Sequence, residues 1–415
     1  MKSHPLRTFL TIVAAGLAGA YLANAISPVQ EAMRTGLGLT DNQMAILQGP
    51  ASALPIIFGA IPIGVLIDRR SRIGILIISL IAAVAGTLLT AFESNFWLLF
   101  SARAVVGLSA GAVSIAATSL IADASSPEQR GRATMVLAWG QTAGVAAAFG
   151  VCGYLLSRFS TNPSGWRWAL TIASSPVIPL LLLLLTVSEP PRTGTRIKQP
   201  TVRQALGELN EFRGIVLTLL TASVIVRIAD SAAVVWTAPS LGRNFGLSPA
   251  AIGTLMGATI LVSGIGGPAL AGFLADVCQR AGGPRRTVRV FGYCVLLSVP
   301  AAIYPLAPSV ATTIVPFCLF YVVGSMSGTL FTAVGTVVIP NELLGLSLSL
   351  FALVSAVLGT GLSPMLVSGI ASMLGGPHSI GAALTIVCMS TSFLAAIVYL
   401  LGSRCFPTEA SVTTT

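Results

Sequence analysis

Twelve runs of about 20 apolar residues follow one another along the chain, separated by short polar segments. A run of this length is what an α-helix needs to cross the hydrocarbon core of a bilayer. Membrane-spanning β-strands are much shorter, and backbone groups cannot stay unsatisfied in lipid, so the runs predict helices. Only 9% of the residues are charged, against roughly 25% in soluble proteins. The sequence therefore predicts an all-α membrane protein with twelve transmembrane helices at about 9–30, 43–66, 73–92, 96–121, 134–157, 167–187, 214–238, 249–274, 288–307, 310–339, 344–373 and 379–402.

The second half of the chain repeats features of the first half at a constant offset of 208 residues. The matching pairs are Leu39 and Leu247, Gly49 and Gly257, Gly64 and Gly272, Asp68 and Asp276, and Arg72 and Arg280. Two homologous six-helix halves, as in transporters that rock about a midplane site, explain such a repeat. We expect an N-terminal bundle at 1–187, a cytoplasmic linker at 188–213 and a C-terminal bundle at 214–415. The linker part at about 200–212 fits either a short amphipathic helix on the membrane surface or a solvated tether.

The net charge of +10 reflects an uneven distribution of Lys and Arg and does not require a nucleic-acid partner. With the N-terminus in the cytoplasm, 17 of the 23 basic residues lie on the cytoplasmic side and 4 on the outer side. Because positive residues stay on the cytoplasmic side of a membrane, we expect both termini in the cytoplasm of a bacterial-type inner membrane. The first run ends in a signal-peptide-like A-x-A sequence at 23–25, but it belongs to the repeated unit, so we expect no cleavage.

The loop after the second span reads GVLIDRRSR, and GFLADVCQR stands at the same place in the second half. Together with the twelve spans it resembles the G-x-x-x-D-R-x-G-R signature of the major facilitator superfamily, which implies a two-bundle transporter fold. The glycines favour close helix approach. The charges, including a pair between Asp68 and Arg72, can latch helix ends until the bundles rock; alternatively they only anchor loops at the interface. The candidate latch residues are Gly64, Asp68, Arg69, Arg72, Asp123, Arg130, Arg132, Gly272, Asp276 and Arg280.

The stretch LTDNQMAILQG followed by IPIGVLIDRRSR is also similar to the spinster branch of that superfamily. Branch members commonly carry an Asp-Arg pair in the first helix and a glutamate shortly after an arginine in the fourth. Here the first helix offers Tyr21 and Asn24, no acidic residue precedes Glu31, and Ala110 stands near the expected glutamate. The acidic residues typical of the branch are therefore absent from these positions.

Three charged residues, Arg103, Arg227 and Asp230, lie well inside predicted spans. At 1.5 Å per residue, Arg103 lies roughly 10 Å from the outer end of the fourth span, whereas Arg227 and Asp230 lie roughly 20 and 24 Å from the inner end of the seventh. In a core about 30 Å thick, these are similar depths. Charges facing lipid are costly, so we expect one cluster in a central cavity. There one arginine would hold an anionic group while Asp230 pairs with the other and accepts a proton; the alternative is a structural salt bridge, with Arg103 packing the N-terminal bundle. Further polar candidates are Asn24, Gln48, Gln141, Tyr321 and Ser325.

These features predict a secondary active transporter that works by alternating access. We expect it to move a small or amphiphilic organic solute, more specifically an organic anion, with H⁺ as candidate coupling ion. The alternatives are a lipid or drug efflux transporter and a non-transporting membrane sensor. An enzyme is disfavoured because the chain has two histidines and no nucleophile at a readable spacing from a base. The six cysteines form no C-x-x-C pair, so we expect no metal and no cofactor. We expect a monomer among membrane lipids, with no nucleic acid bound.

Overall fold

The computed structural model of the chain describes residues 5–126, 129–191, 207–208 and 210–408. Within these ranges, eleven helical segments are long and apolar enough to cross a membrane, and the assigned regular elements are helical. One segment, Pro249–Leu306, contains two spans because Gly282 and Gly283 have non-helical dihedral angles. The fold is therefore the all-α, twelve-helix arrangement that the sequence predicts.

The twelve spans are labelled α1 to α12 in chain order. The first six are α1 (Pro5–Asn24), α2 (Pro50–Arg69), α3 (Arg72–Phe92), α4 (Phe96–Ala124), α5 (Arg130–Arg158) and α6 (Gly165–Ser174 with Val177–Leu184). The second six are α7 (Arg213–Phe245), α8 and α9 (249–281 and 284–301, the two parts of Pro249–Ala301), α10 (Val310–Val338), α11 (Asn341–Val354, the π-helix Ser355–Leu362 and Ser363–Met373) and α12 (Ile380–Gly402).

The α1–α2 connection, residues 25–49, departs most from the predicted boundaries. The predicted first span continues to residue 30, whereas α1 ends at Asn24 and a 3-10 turn containing Pro28 follows. Proline has no N–H group to donate to the carbonyl four residues earlier and its ring crowds the preceding turn, which favours a helix break here. The connection then holds two short helices, Gln30–Leu37 and Asp41–Gln48, separated by Gly38 at a left-handed φ of 63° that favours glycine.

Contacts divide the chain into two compact units, one comprising residues 1–195 and 238–261 and the other 196–237 and 262–415. The boundary in α7 therefore falls between Thr237 and Ala238, so the last turns of α7 pack with the first unit. The predicted division into bundles around the linker stays a prediction. Most of the predicted linker helix lies outside the described residues.

Glycines let helix backbones touch within the first unit. A Cβ atom at Gly107 on α4 would lie 2.2 Å from the carbonyl oxygen of Ser52 on α2. A Cβ at Gly144 on α5 would lie 2.2 Å from the carbonyl oxygen of Leu17 on α1. Lipid provides no hydrophobic drive for helix association, so such close van der Waals contact is what holds helices together in a membrane.

We expect Gly144→Ala to destabilise the protein and Gly150→Ala, on the same helix, not to. The methyl group at position 144 would meet the α1 backbone, and overpacking costs roughly 1–3 kcal/mol. At Gly150 a Cβ would meet no described atom within 4 Å, and alanine is the better helix former. Thermal unfolding of both variants in one detergent checks this. Equal midpoints would show that the α1–α5 contact relaxes without cost.

Candidate functional site

Arg72, the last arginine of the signature loop, lies at the centre of an ion cluster in the first unit. Its side chain is 3% exposed and forms salt bridges with Asp123 at the end of α4 and with Glu189 after α6. The distance from Arg72 Nε to Glu189 Oε1 is 3.0 Å, and Arg72 Nη2 also donates to the Pro190 carbonyl at 3.0 Å. The cluster therefore ties together the start of α3, the end of α4 and the start of the linker.

The sequence places Asp123 among the latch residues, and the structure brings it to Arg72. Glu189 was not predicted, because it lies 117 positions from Arg72 and no local pattern connects the two. The side chain of Asp68 lies outside the described part of the chain. Its pairing with Arg72 therefore stays a prediction.

Five further charged latch candidates have described side chains. Arg130 Nε donates to the Ala122 carbonyl at 3.0 Å, which holds the α4–α5 turn. The other four candidates whose side chains are described are exposed, and no salt bridge to another described residue joins them. These are Arg69, Arg132, Asp276 and Arg280.

The signature glycines Gly64 and Gly272 have open space beside them in this structure. A Cβ at Gly64 or Gly272 would meet no described atom within 4 Å. In this structure the close contacts occur at Gly107 and Gly144, and close helix approach at the two signature glycines stays a prediction.

Arg227 and Asp230 form an ion pair one turn apart on α7, in the second unit. Arg227 Nη1 donates to Asp230 Oδ2 at 2.5 Å. The side chain of Arg227 is 40% exposed, whereas that of Asp230 is 11% exposed. The carboxylate is thus held within the helix packing, and the guanidinium projects from it.

Two glycines make room for this pair. A Cβ at Gly324 on α10 would lie 3.0 Å from Asp230 Oδ1, and a Cβ at Gly359 on α11 would lie 3.3 Å from Arg227 Cβ. Gly359 belongs to a π-helix, a form that is often found at functional sites. Larger residues on α10 and α11 would crowd the pair, so the neighbouring helices are shaped around it.

Tyr321 on α10 is buried in the same unit, and its hydroxyl has no hydrogen-bond partner among the described residues. Its ring packs edge-on against Phe317. Ser325, one turn further, donates to the carbonyls of Ser263 and Val322 at 2.7 and 2.8 Å. Of these two candidates, Tyr321 keeps a free donor, whereas the hydroxyl of Ser325 is committed to backbone.

Arg103 on α4 belongs to the first unit and is 4% exposed. Its Nη2 donates to the Ala23 carbonyl at 2.9 Å and to Ser52 Oγ at 3.2 Å, while its Nε has no partner among the described residues. Ala23 lies at the end of α1, so Arg103 fastens this helix end to α2. The predicted cluster with Arg227 and Asp230 stays a prediction.

Three further candidates in the first unit bond within the protein. Asn24 donates to the Ala20 carbonyl of its own helix at 2.9 Å. Gln48 is buried and bonds to Gln30 and Ser27 inside the α1–α2 connection. Gln141 on α5 donates to Ser114 Oγ on α4 at 3.1 Å and is half-buried. Of the three, Gln141 is the one that lies on a spanning helix and bonds to another.

A second ion cluster, which was not predicted, lies where α7 ends. Arg243 forms salt bridges with Glu31 and Asp41 of the α1–α2 connection, both at 2.7 Å. Arg34 pairs with the same two carboxylates. The sequence shows these charges only as separate loop residues, since Arg243 lies 202 and 212 positions from its partners.

The sequence model described as Major Facilitator Superfamily matches residues 8–364. Among curated proteins, the chain is 33% identical over 142 residues to a D-xylose transporter of Levilactobacillus brevis, covering 34% of this chain and 30% of that protein. It is 32% identical over 133 residues to protein spinster homolog 1 of Xenopus laevis, covering 31% and 24%. The matches thus span a third or less of these relatives' own length.

Solved structures match over nearly the whole chain. A bacterial homolog of the human lysosomal transporter Spinster, in an inward-facing and unoccupied conformation, has a TM-score of 0.79 at 21% identity and covers 98% of both chains. A D-xylose-proton symporter has a TM-score of 0.75 at 16% identity, covering 98% of this chain and 100% of that one. At these identities the likeness shows the fold alone.

We expect Glu189→Gln to destabilise the protein at pH 7 and the difference from the parent to vanish in acid. Burial raises the pKa of Glu189, but hydrogen bonds from Ser71 and from the backbone and guanidinium of Arg72 outweigh it and lower the pKa below its usual value. A lowered folded-state pKa contributes stability that is present above the unfolded value, about 4.3, and is lost as pH falls through the folded value.

Thermal unfolding of the parent and the variant between pH 7 and pH 3.5 measures this difference. Glu211→Gln is the matched control, because Glu211 is exposed and forms no salt bridge with a described residue. A difference between parent and Glu189→Gln that stays constant down to pH 3.5 would contradict the assignment.

Proposed function

Because the chain belongs to the Major Facilitator Superfamily, we propose that it is a secondary active transporter that moves a small organic solute by alternating access. The Arg227–Asp230 pair carries this proposal. We propose further that the protein is a monomer of a bacterial-type inner membrane, with both termini in the cytoplasm.

The exposure of Arg227 supports a water-filled substrate path. An arginine in the middle of a spanning helix that faced lipid would be costly, so intramembrane charges usually face a cavity. Arg227 is 40% exposed although it lies 14 residues into α7, about 21 Å along the helix at 1.5 Å per residue. An exposed guanidinium at this depth therefore suits contact with a solute.

We propose an organic anion as the substrate class. A guanidinium has five N–H donors in a planar fork, and the salt bridge to Asp230 uses one nitrogen of Arg227, which leaves donors for a carboxylate or phosphate. The unpartnered hydroxyl of Tyr321 supplies a further donor in the same unit. Arg103 stays in the proposal as a second anion contact, with helix fastening as its alternative role.

A neutral sugar is the second candidate, because the matched relatives include transporters named for D-xylose and trehalose. Sugars are bound by several hydroxyl and amide groups rather than by one cation, and Gln141 and Tyr321 are of this type. A thermal-shift panel of organic acids and neutral sugars on the purified protein separates the two classes. Stabilisation by sugars alone would overturn the anion proposal.

For an anionic ligand found in that panel, we expect Arg227→Ala to weaken binding about 10-fold to 150-fold, which corresponds to roughly 1.5–3 kcal/mol for a charge-assisted hydrogen bond. Arg227→Lys should restore part of the affinity, because lysine keeps the charge but loses the fork. Arg404→Ala, at an exposed arginine after α12, is the control. Isothermal titration measures all three, and unchanged affinity in Arg227→Ala would make the pair structural.

Asp230 is proposed as the proton carrier, because it is a carboxylate held within the spanning helices. Asp230→Asn imitates the protonated form and cannot release the proton. We expect this variant to lose accumulation driven by a proton gradient in proteoliposomes, while exchange between two loaded compartments continues. Gel filtration first checks that it is folded, since the change also unpairs Arg227. Accumulation at the parental level would place coupling elsewhere.

A further inference from the structure

A groove lies along the first turns of α1 in the first unit, beside the end of α6. It has a volume of about 570 Å³, within the range of roughly 300–1,000 Å³ that is typical of sites for small molecules. Its lining is apolar apart from one arginine and one threonine: Leu6, Arg7, Leu10, Thr11, Ala14 and Leu183. Leu6, Leu10 and Ala14 are spaced by four residues, so they share one face of α1. The groove therefore combines an apolar floor with a single cation.

Arg7 lies at the end of the groove that is nearer to the membrane surface. It is the third residue of α1 and precedes the predicted first span, which begins at about residue 9. Its Nη2 donates to Thr186 Oγ1 at 3.0 Å, just beyond the last turn of α6. Ala14 lies seven residues further on, about 10 Å deeper along the helix. The guanidinium is thus held at the depth of lipid headgroups, whereas the apolar part of the groove runs into hydrocarbon.

The charge of Arg7 has no counter-ion among the described residues. The side chain is exposed, and its one partner in the described part of the chain is the neutral hydroxyl of Thr186. That bond uses one of five N–H donors, and the planar fork of a guanidinium matches the oxygens of a phosphate group. Charge complementarity therefore favours an anionic phosphate at this end of the groove.

The apolar lining favours a lipid over a water-soluble phosphate as the occupant. Leu6 and Leu10 are 67% and 54% exposed, and Leu182 on α6 is exposed as well. In a membrane such side chains contact acyl chains, and association there depends on van der Waals contact. A groove surrounds an acyl chain with more contact atoms than a flat helix surface does. A free phosphate would bind Arg7 and leave this apolar part empty.

We propose that this α1–α6 groove binds one anionic phospholipid, whose phosphate contacts Arg7 and whose acyl chain lies against Leu6, Leu10 and Ala14. The site is separate from the solute site proposed on α7, and its test does not depend on transport. Basic residues close to the membrane surface attract the anionic lipids of the cytoplasmic leaflet. The start of α1 belongs to that side in the orientation proposed above.

Native mass spectrometry of the purified protein in detergent counts the lipid molecules that stay bound. The probes are phosphatidylglycerol and phosphatidylethanolamine with identical acyl chains, which differ in the net charge of the headgroup. We expect the parent protein to retain one phosphatidylglycerol in preference to phosphatidylethanolamine. Arg7→Ala should weaken phosphatidylglycerol binding about 10-fold or more, the effect of losing one charge-assisted hydrogen bond. Arg7→Lys should weaken it less, because the charge remains. Equal retention of both lipids by the parent would overturn the proposal.

Two further variants separate the groove from net charge. Ala14→Trp should fill the groove and weaken phosphatidylglycerol binding although Arg7 is unchanged. Arg404→Ala removes an exposed arginine after α12 and should leave binding at the parental level. If Arg404→Ala weakens binding as much as Arg7→Ala does, affinity follows net charge and the site does not exist. Parental binding by Ala14→Trp would show that the lipid does not occupy the groove.

A water-soluble phosphate distinguishes a lipid site from a simple anion site. Glycerol phosphate carries the anionic group without acyl chains, so we expect it not to displace phosphatidylglycerol at equal concentration. Displacement under these conditions would overturn the lipid assignment. Gel filtration checks that each variant is folded, and Arg7→Gln replaces Arg7→Ala with the same expectations if the alanine variant does not fold.

Discussion

Hydrocarbon offers no hydrogen bonds, and this absence determines where each polar group of the chain finds its partner. Hydroxyl groups on apolar helices donate hydrogen bonds to the backbone of the same helix. Thr87 and Thr90 each donate to the carbonyl one turn earlier, at 2.8 Å. Arg103 finds the Ala23 carbonyl, one of those that a helix end leaves without an N–H donor. The carbonyl at the end of α1 and the buried guanidinium therefore satisfy each other's hydrogen-bonding groups.

The same constraint explains why glycine matters at some positions and not at others. Gly144 and Gly107 let backbones touch, because in lipid the gain comes from van der Waals contact. Gly324 and Gly359 instead make room for the Arg227–Asp230 pair, which would otherwise be crowded in the packing between helices. A glycine cannot be assigned to either role from sequence, because the role is defined by the atom opposite it.

The twelve spans could be predicted because each depends on local information, namely enough apolar residues in a row to cross the bilayer. The end of α1 was misplaced since the predicted run continued through Pro28 and hydropathy does not report the missing N–H. Asp123 could be assigned to the Arg72 cluster because the predicted end of the fourth span lies on the same side of the membrane as the signature loop. Glu189 and Arg243 could not, since their partners lie more than a hundred positions away and only the packing of helices brings them together.

Each of the two ion clusters is centred on a largely buried arginine that pairs with two carboxylates. Arg72 is 3% exposed, so separating it from its carboxylates would leave an uncompensated buried charge, which costs several kcal/mol. In the Arg243 cluster the side chains of Arg243 and Asp41 are 12% and 11% exposed and that of Glu31 is 36% exposed, so water reaches the Glu31 pair more easily, and such accessible pairs are worth about 1 kcal/mol or less. Both clusters therefore fasten segments that lie far apart in sequence. Arg72 holds the start of the linker to α3 and α4, and Arg243 holds the last turn of α7 to the α1–α2 connection.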